Sequence, residues 1–432
     1  MIKLPNEVGK VVKAVEDAGH AIYMVGGCVR DSLLGMEPLD WDLATDANWQ
    51  ELIQILPRAQ VLSEKYSVVR WEPEAEKGAE GLIIDVATFR LEGEYSDHRR
   101  PDRVVLAKTI EEDLSRRDFT VNAMADSPTR GFVDPYGGRE DLKVRRLRTV
   151  GDPNKRFRED PSRMLRGIRM ISELEMEISE ELTQAMLDHC GELVHVSKEK
   201  VLEEFLRILT GKEGGKALRL LAGTDLMPYI IGEEIACHMS RHELDDFSTY
   251  CDFIHRTKPN PLRRAGLFYL IFNGKRSLQA ATVLPHSREH LVHFQDQMQF
   301  MDKVYFMRTK EELKRFIAKV GMERYLYLHN LAKAQRLVYD LPEDKIMARE
   351  VQMNEIKVNK EPIFVEDLAI DGNDLLEAGF EPGENIGVML SMVLDATHRN
   401  PKKNTREELL KLAALYKKSW IRRNTRNVKW LK

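Results

Sequence analysis

The sequence VGGCVRDSLLGMEPLDWDLAT, residues 25–45, contains the two features from which the fold and the chemistry are inferred. The first is the glycine pair Gly26 and Gly27, which follows an apolar run and precedes a run compatible with a helix. Glycine lets backbone N–H groups approach a phosphate, and the N-terminus of a following helix attracts its negative charge. Arg30 adds a bidentate donor. The same pattern also occurs in ordinary turns after strands, so both interpretations stay open for this pair alone.

The second feature is the pair Asp40 and Asp42, which flank Trp41 in a run of strand character. Because side chains alternate along a strand, both carboxylates are expected on one face. Two carboxylates this close repel each other unless a cation lies between them, and magnesium is the natural occupant. Such pairs support two metal ions about 3.5–4 Å apart. Two surface aspartates on either side of a tryptophan are the alternative.

A third acid, Asp85, lies within the apolar run Ile83-Ile84-Asp85-Val86-Ala87. A charge in such a strand is costly to bury without a partner. A metal site shared with Asp40 and Asp42 would supply that partner. A solvent-facing position at a strand edge would remove the need for one, and the sequence alone leaves the two alternatives open.

The chain changes character at about residue 149. Before it, short apolar or alternating runs punctuated by Gly, Pro and Asp predict strands and turns at 21–27, 41–45, 82–89 and 131–138. Beyond it, helical periodicity prevails. Ser197 and Gly211, for example, are the predicted caps of a helix whose apolar residues recur at helical spacing. The sequence therefore predicts an α+β protein, with a mixed sheet first and an all-helical region after it.

Length and composition suit a soluble globular protein of two or more domains. The chain has 432 residues, more than a single hydrophobic core usually serves, and 43% of them are hydrophobic. No apolar run reaches the roughly 20 residues of a membrane span, and residues 1–20 lack the pattern of a signal peptide. The 4 cysteines are scattered, which fits a reducing compartment. A cytoplasmic protein without membrane contact is expected.

The overall charge is −4, but the C-terminal segment is strongly basic. From residue 399 to the end, twelve Lys and Arg stand against two Glu, a net charge of +10, with Tyr416, Trp420 and Trp430 interleaved. This composition suits contact with phosphates and stacked bases. A solvated helix face with a frayed tail is the alternative.

Taken together, the glycine pair, the two aspartates about a dozen residues later and the third acid on a later strand resemble the catalytic core of the DNA polymerase beta superfamily. Further motifs narrow the resemblance to the class II tRNA nucleotidyltransferases, the bacterial CCA-adding enzymes. The similarity is strongest over residues 20–215. Six motifs occur in the order typical of that family: VGGCVRD (25–31), PLDWDLAT (38–45), TFRLEGEYSDHRRPDRV (88–104), EEDLSRRDFTVNAMA (111–125), DPYGGREDL (134–142) and RFREDPSRMLRGIRM (156–170).

The resemblance implies a polymerase-beta-like nucleotidyltransferase head at 1–148 and a nucleotide-selecting helical neck at 149–212. A helical body at 213–310 and a helical, tRNA-binding tail at 311–432 would follow. The implied reaction is template-independent addition of CCA to the 3′ end of tRNA, with CTP and ATP as substrates, two Mg²⁺ ions as cofactors and pyrophosphate as product. An A-adding tRNA nucleotidyltransferase or a poly(A) polymerase is the alternative, since both share these motifs. The oligomeric state, monomer or homodimer, stays open.

The resemblance also assigns roles to single residues. Asp40 and Asp42 would bind the metals, and together with Asp85 they would be the catalytic carboxylates. A carboxylate or amide near the ribose would bind its 2′-hydroxyl and so favour NTP over dNTP. The residues implied in nucleotide binding are Gly26, Gly27, Arg30, Arg117, Asp118, Asn122, Asp160, Arg163, Arg166 and Arg169, the last two by phosphate contact or by positioning the selecting pair.

That selecting pair is Asp160 and Arg163. Because Pro161 suits the first turn of a helix, the two residues are expected to be helix neighbours. Cytosine and adenine present an exocyclic amine donor beside a ring-nitrogen acceptor, whereas guanine and uracil present the reverse. A carboxylate next to a guanidinium therefore pairs with C and A, and unpaired buried polar groups cost about 1–3 kcal/mol each. A plain salt bridge on a helix face is the alternative.

Two further features bear on the family resemblance. Residues 95–101 resemble the flexible loop that CCA-adding and A-adding members carry and CC-adding members lack, which implies that the terminal A can be added. Trp41 departs from the family, in which smaller residues separate the two aspartates. We expect its side chain to face away from them and to alter core packing rather than the chemistry.

Overall fold

The computed structural model of the chain describes residues 2–38, 40–73, 82–92, 104–272 and 274–428. The chain forms two compact units. The first comprises Met1–Ala265 and Ile271–His286, and the second comprises Gly266–Leu270 and Ser287–Lys432. The division into head, neck, body and tail is finer than these two units, and its boundaries stay a prediction.

A mixed β-sheet is the core of the sequence-predicted head. The strands are β1 (Ile22–Val25), β2 (Trp41–Thr45), β3 (Gln60–Ser63), β4 (Val68–Trp71), β5 (Ile84–Thr88), β6 (Arg90–Glu92), β7 (Val104–Leu106), β8 (Ala125–Ser127), β9 (Gly131–Val133), β10 (Arg146–Leu147) and β11 (Glu177–Ile178). Seven of them form one sheet in the order β3-β4-β5-β2-β1-β8-β9. Only β2 and β5 run parallel in it, and the other neighbours are antiparallel. β6 pairs with β7, and β10 pairs with β11.

The four runs that predicted strands each contain one, namely β1, β2, β5 and β9. Alternation along the chain explains which side chains they bury. In β5, Ile84 and Val86 are fully buried, whereas Asp85 between them is half-buried. In β2, Trp41 is 2% exposed and its neighbour Asp42 is exposed. Trp41 therefore faces away from Asp42, as expected from the period of two along a strand.

Among the described residues, fifteen α-helices begin in the first unit: α1 (Asn6–Asp17), α2 (Gly27–Leu33), α3 (Trp49–Ile55), α4 (Ile110–Ser115), α5 (Gly138–Lys143), α6 (Pro153–Glu159), α7 (Ser162–Leu174), α8 (Glu180–His189), α9 (Lys198–Thr210), α10 (Gly214–Gly223), α11 (Pro228–Ile231), α12 (Glu233–Cys237), α13 (Arg241–Phe253), α14 (Pro261–Tyr269) and α15 (Lys275–Ala281). The predicted cap positions are confirmed in α9, which has Ser197 as N-cap and Gly211 as C-cap, although the Ser197 side chain makes no capping hydrogen bond. Its apolar stripe is buried and packs against α7.

Gly215 illustrates how closely the helices of the first unit are packed. A Cβ added to Gly215 in α10 would lie 1.7 Å from the carbonyl oxygen of Cys251 in α13, so a backbone would have to move. We expect Gly215→Ala to lower the free energy of unfolding by about 1–3 kcal/mol. Gly223 ends the same helix with no atom within 4 Å of its added Cβ, so Gly223→Ala should leave stability unchanged or slightly higher. Urea unfolding followed by circular dichroism measures both variants, and equal effects would contradict the packing argument.

The part of the second unit that the structure describes is built from α-helices. They are α16 (Arg288–Phe306), α17 (Lys310–Val320), α18 (Met322–Tyr339), α19 (Asp344–Val358), α20 (Gly372–Glu377), α21 (Glu384–Arg399) and α22 (Arg406–Val428). One of its cores lies where α20, α21 and α22 meet, with Leu375, Val393 and Leu409 fully buried. The predicted α+β class, with a mixed sheet followed by helices, is confirmed. No helix among the described residues is long and apolar enough to span a membrane.

Candidate active site

A cavity of about 550 Å³ opens in the first unit over strands β4, β5, β2 and β1. It brings together residues from six segments of the sequence, between positions 25 and 166. Of the residues predicted from the sequence, ten line this cavity: Gly26, Gly27, Asp42, Asp85, Arg117, Asp118, Asn122, Asp160, Arg163 and Arg166. Asp40, Arg30 and Arg169 are not part of its lining.

The carboxylates meet in the middle of the sheet. Asp42 on β2 is the direct cross-strand neighbour of Asp85 on β5, and Asp40 precedes β2 in an exposed position. The Asp42 carboxylate is accessible from the cavity but closely surrounded by protein atoms. Its pKa is raised by this desolvation and by the charges of Asp85 and Asp40, against the opposing effect of Arg117. Desolvation and the neighbouring acids therefore disfavour the ionised form of the Asp42 carboxylate.

Asp85 has a protein partner that is not among the residues predicted from the sequence. Arg70 lies directly opposite Asp85 on β4 and donates from its Nε and Nη2 at 2.8 and 2.9 Å. Since β5 lies between β4 and β2, the edge-strand alternative for Asp85 is wrong. A sequence signal for this pair existed. Arg70 lies in the apolar run Val68-Val69-Arg70-Trp71, as Asp85 lies in an apolar strand, and two such charges of opposite sign can pair.

Asp40, Asp42 and Asp85 do not form a three-carboxylate metal site. No group of three or more His, Cys, Asp or Glu side chains in the described ranges is arranged to hold a metal ion. Asp85 is already engaged by Arg70. Asp40 and Asp42 would supply the hard oxygen ligands that a divalent cation prefers. A cation there would offset the charges of Asp85 and Asp40, which add to desolvation in raising the pKa of Asp42.

The glycine pair forms the junction of β1 and α2. Gly26 is the N-cap of α2 and has a φ of 74°, which glycine adopts without strain. A Cβ on Gly26 would lie 2.7 Å from the Nη1 atom of Arg117, so a side chain here would push Arg117 away. Arg30 points from α2 to Asn122, donating to its Oδ1 at 2.7 Å. Arg30 thus orients a lining residue instead of lining the cavity itself.

Along the cavity, Asp118 is joined to Asn122 by a hydrogen bond and to Arg166 by an ion pair. Asn122 donates to Asp118 Oδ1 at 3.2 Å, and Arg166 Nη2 lies 2.7 Å from Asp118 Oδ2. Burial alone would raise the pKa of Asp118, but the charges of Arg166 and Arg163 and two hydrogen bonds lower it overall. Asp118 is therefore an ionised acceptor in the wall of the cavity at neutral pH.

Asp113, which was not among the residues predicted from the sequence, binds Arg116 and Arg117 in the same wall of the cavity. It is 1% exposed and accepts hydrogen bonds from Arg116 at 2.9 and 3.0 Å and from Arg117 at 3.2 Å. Its Oδ1 also accepts from the backbone N–H of Arg90 at 3.2 Å. Burial raises the pKa of Asp113, yet Arg116 and Arg117 lower it overall. The spacing of three and four residues from Asp113 to Arg116 and Arg117 was a sequence signal for these ion pairs, because residues so spaced on a helix are neighbours.

The expected helix neighbours Asp160 and Arg163 do not share a helix. Asp160 ends α6 in an extended conformation, with a φ of −147° and a ψ of 97°, and Arg163 lies in the first turn of α7. One oxygen of Asp160 accepts from the Ser162 backbone N–H at 3.0 Å and from its hydroxyl at 2.6 Å. Arg163, 5% exposed, is held by Glu159 at 2.9 Å. Both side chains nevertheless line the cavity, as predicted.

Arg169 forms ion pairs with two carboxylates in the core beside the cavity. Its Nε lies 2.6 Å from Glu204 on α9, and its Nη1 lies 2.7 Å from Glu173. Burial lowers the pKa of Arg169, but the two carboxylates raise it overall. Of the two roles expected for Arg169, phosphate contact or positioning of the selecting pair, these contacts favour the second, because they hold the helix α7 that carries Arg163. The predicted flexible loop at 95–101 lies outside the described residues.

Comparisons with known proteins agree with the geometry. Residues 22–148 match the family described as "Poly A polymerase head domain", and residues 175–238 match "Probable RNA and SrmB- binding site of polymerase A". A CCA-adding enzyme from Anoxybacillus flavithermus is 39% identical over 240 residues, which are 56% of this chain and 58% of that protein. The chain thus spans little more than half the length of that relative. A CCA-adding enzyme from Levilactobacillus brevis is 31% identical over 88% of this chain and 90% of its own length.

One solved structure is similar along nearly the whole chain. It is the crystal structure of the Bacillus stearothermophilus CCA-adding enzyme in complex with CTP, which gives a TM-score of 0.78 at 25% identity. The match covers 98% of this chain and 100% of that one. The structural similarity therefore covers more of the chain than residues 22–148 and 175–238, which the two family descriptions match.

Proposed function

Since this chain belongs to the family of CCA-adding enzymes, we propose that it adds C, C and A to the 3′ end of tRNA without a template. CTP and ATP are the substrates, and pyrophosphate is released. The bond between the 3′ oxygen of the tRNA and the α-phosphorus forms as the bond from that phosphorus to the pyrophosphate oxygen breaks. The observation that carries the proposal is one cavity lined by carboxylates, glycine backbone, arginines and the Asp160–Arg163 pair.

Asp40 and Asp42 would hold two Mg²⁺ ions in this proposal. Their oxygens suit a hard divalent cation, which would also offset the charges of Asp85 and Asp40 that, after desolvation, raise the pKa of Asp42. When bound, the cations lower the pKa of the attacking hydroxyl and stabilise the leaving pyrophosphate. Asp85 stands opposite Asp42 with its orientation fixed by Arg70, so it would orient the attacking hydroxyl.

Gly26, Gly27 and Arg117 would hold the triphosphate. Backbone N–H groups at a helix N-terminus and a guanidinium are both suited to phosphate oxygens. Asp118 and Asn122 would bind the ribose hydroxyls, since a carboxylate accepts and an amide both donates and accepts. Arg30 would act through Asn122, whose Oδ1 it holds.

Asp160 and Arg163 would select the base. The carboxylate accepts from the exocyclic amine of C or A, and the guanidinium donates to the adjacent ring nitrogen. Glu159 would keep the Arg163 guanidinium in place, and Arg166 would keep Asp118 in place. Arg169 would position α7 through Glu173 and Glu204.

The remaining parts of the proposal concern the RNA and the compartment. The basic segment from residue 399 onward would contact the tRNA backbone, because its net charge of +10 suits a polyanion. A related protein crystallised with CTP has the same fold, which supports a nucleoside triphosphate as substrate. The cytoplasm stays the predicted compartment.

Primer extension with separate nucleotides tests the proposal. The substrates are tRNAs that lack the last three, lack the last one, or retain all of their CCA nucleotides. We expect CTP to extend the first by two residues, ATP to extend the second by one, and neither to extend the third. Incorporation of ATP alone onto the second tRNA would favour an A-adding enzyme, and long A tracts would favour a poly(A) polymerase. Absence of any CTP incorporation would contradict CCA addition.

A further inference from the structure

The cavity extends beyond the carboxylates to Tyr66, a residue with no part in the mechanism above. Tyr66 lies in the turn between β3 and β4 and lines the cavity with Val68, Ala87 and Arg90. The Arg90 guanidinium lies 5.2 Å from the centroid of the Tyr66 ring, and the Lys65 amine lies 5.4 Å from it. An aromatic ring beside cations is the combination with which proteins hold single-stranded nucleic acid, the base on the ring and the phosphate near the cation.

The strand order separates Tyr66 from the glycine pair. The order of these strands across the sheet is β4, β5, β2 and β1. Strand β4 begins two residues after Tyr66, and β1 ends one residue before Gly26. Asp85 lies on β5 and Asp42 lies on β2. Neighbouring strands are about 4.8 Å apart, so β4 and β1 are separated by roughly 14 Å. The carboxylates lie on the two strands between them. Tyr66 and the glycine pair therefore mark opposite sides of the catalytic acids.

In-line transfer requires different groups to bind on the Tyr66 side and on the glycine side of the catalytic acids. The attacking and leaving oxygens must lie on opposite sides of the α-phosphate. If pyrophosphate leaves on the side of Gly26, Gly27 and Arg117, the attacking 3′-hydroxyl arrives from the side of β4. Arg70, next to Asp85 on β4, already binds that carboxylate and so leaves the adjoining surface of the cavity to Tyr66 and Arg90.

We propose that Tyr66 and Arg90 form the subsite for the 3′-terminal nucleoside of the RNA primer. The base stacks on the phenol ring in place of a cation that lies over it in the free protein, and the phosphate on the 5′ side of that nucleoside lies near the Arg90 guanidinium. This arrangement holds the terminal ribose beside Asp85 and Asp42. The inference rests on the proposed nucleotidyl transfer and adds to it the site of the second substrate.

Steady-state kinetics of ATP addition to tRNA ending in CC test the subsite. Tyr66→Leu should raise the KM for tRNA about 10-fold through loss of base stacking, and should change the dissociation constant of ATP without RNA less than 2-fold. Tyr66→Phe keeps the ring and should behave like the unmodified protein. Tyr136→Leu is the matched control, since Tyr136 is partly buried in the same unit but lies outside the cavity lining. An unchanged KM for tRNA in Tyr66→Leu, or equal losses in Tyr66→Leu and Tyr136→Leu, would overturn the proposal.

A binding measurement without turnover separates this inference from the proposed function. A tRNA with 2-aminopurine as its 3′-terminal base should lose fluorescence on binding to the unmodified protein, because stacking quenches the probe. That loss should persist in Tyr66→Phe and disappear in Tyr66→Leu. If the unmodified protein adds CMP and AMP but the quenching is the same in all variants, the subsite is wrong and the function stands. If quenching depends on Tyr66 but no nucleotide is added, the assigned reaction is wrong and Tyr66 still binds the RNA terminus.

Discussion

Asp42→Asn is expected to lower the rate of CTP incorporation into tRNA lacking CCA by about 1000-fold. A catalytic metal contributes several kcal/mol of charge stabilisation in the transition state, and each 1.36 kcal/mol corresponds to a factor of ten in rate. The amide has nearly the shape of the carboxylate but not its charge, so the substitution removes the proposed cation ligand with little change in packing. Single-turnover assays with labelled CTP and excess Mg²⁺ measure the effect.

The stability of Asp42→Asn distinguishes a lost ligand from a damaged fold. The ionised Asp42 carboxylate is disfavoured by desolvation and by its neighbours Asp85 and Asp40, so its neutral replacement should leave the unfolding temperature unchanged or higher. Binding of tRNA should also stay the same. Asp17→Asn, at an exposed position at the end of α1, is the matched control and should retain full activity. Turnover near the unmodified level in Asp42→Asn would contradict the assignment of this residue.

Features that depend on local periodicity could be predicted from the sequence. Strands β1, β2, β5 and β9 and the caps of α9 follow from alternation, helical spacing and capping residues within a few positions. The common face of Asp42 and Asp85 also follows in part, since each lies among apolar residues that must point the other way. That these two strands are neighbours is not a local property, and it was suggested only by the hypothesis of a shared metal site and by the family resemblance.

Partners that come from other strands or helices could not be predicted in this way. The Arg70–Asp85 ion pair depends on the register between β4 and β5, and Arg169 is held by Glu204 from α9. Asp113 is a different case, because its spacing to Arg116 and Arg117 is helical and was open to local reasoning. Its contact with the backbone of Arg90 brings in a second element, which no local pattern contains.

The misplaced helix boundary at Asp160 has a local physical cause. The residue before a proline is disfavoured in the α conformation, because the proline ring clashes with its backbone and Cβ. Pro161 therefore keeps Asp160 extended while itself adopting a helical conformation before α7. The consequence for the site is that Asp160 and Arg163 are held by different groups, Ser162 for one and Glu159 for the other.

Because Asp160 and Arg163 are held by different residues, Arg163→Ala tests the role of Arg163 in base selection without displacing Asp160. We expect the ratio of kcat/KM for CTP to that for UTP to fall about 10- to 100-fold, since discrimination by an unpaired buried polar group amounts to about 1–3 kcal/mol. Asp160 keeps its contacts with Ser162 in this variant, so the loss reports the donor half of the pair alone. Misincorporation assays with each of the four nucleotides on tRNA lacking CCA measure the ratio.

Arg163→Lys separates selection from stability. Alanine leaves Glu159 without one of its two ion-pair partners, Arg156 and Arg163, and is expected to lower the unfolding temperature. Lysine retains a positive charge toward Glu159, so the fold should be less affected, but it lacks the planar donors that match a ring nitrogen beside an exocyclic amine. If planar donation selects the base, lysine should lose nearly as much discrimination as alanine while retaining more stability. If lysine discriminates as well as arginine, position 163 contributes charge alone, and the base must be read by other groups in the cavity.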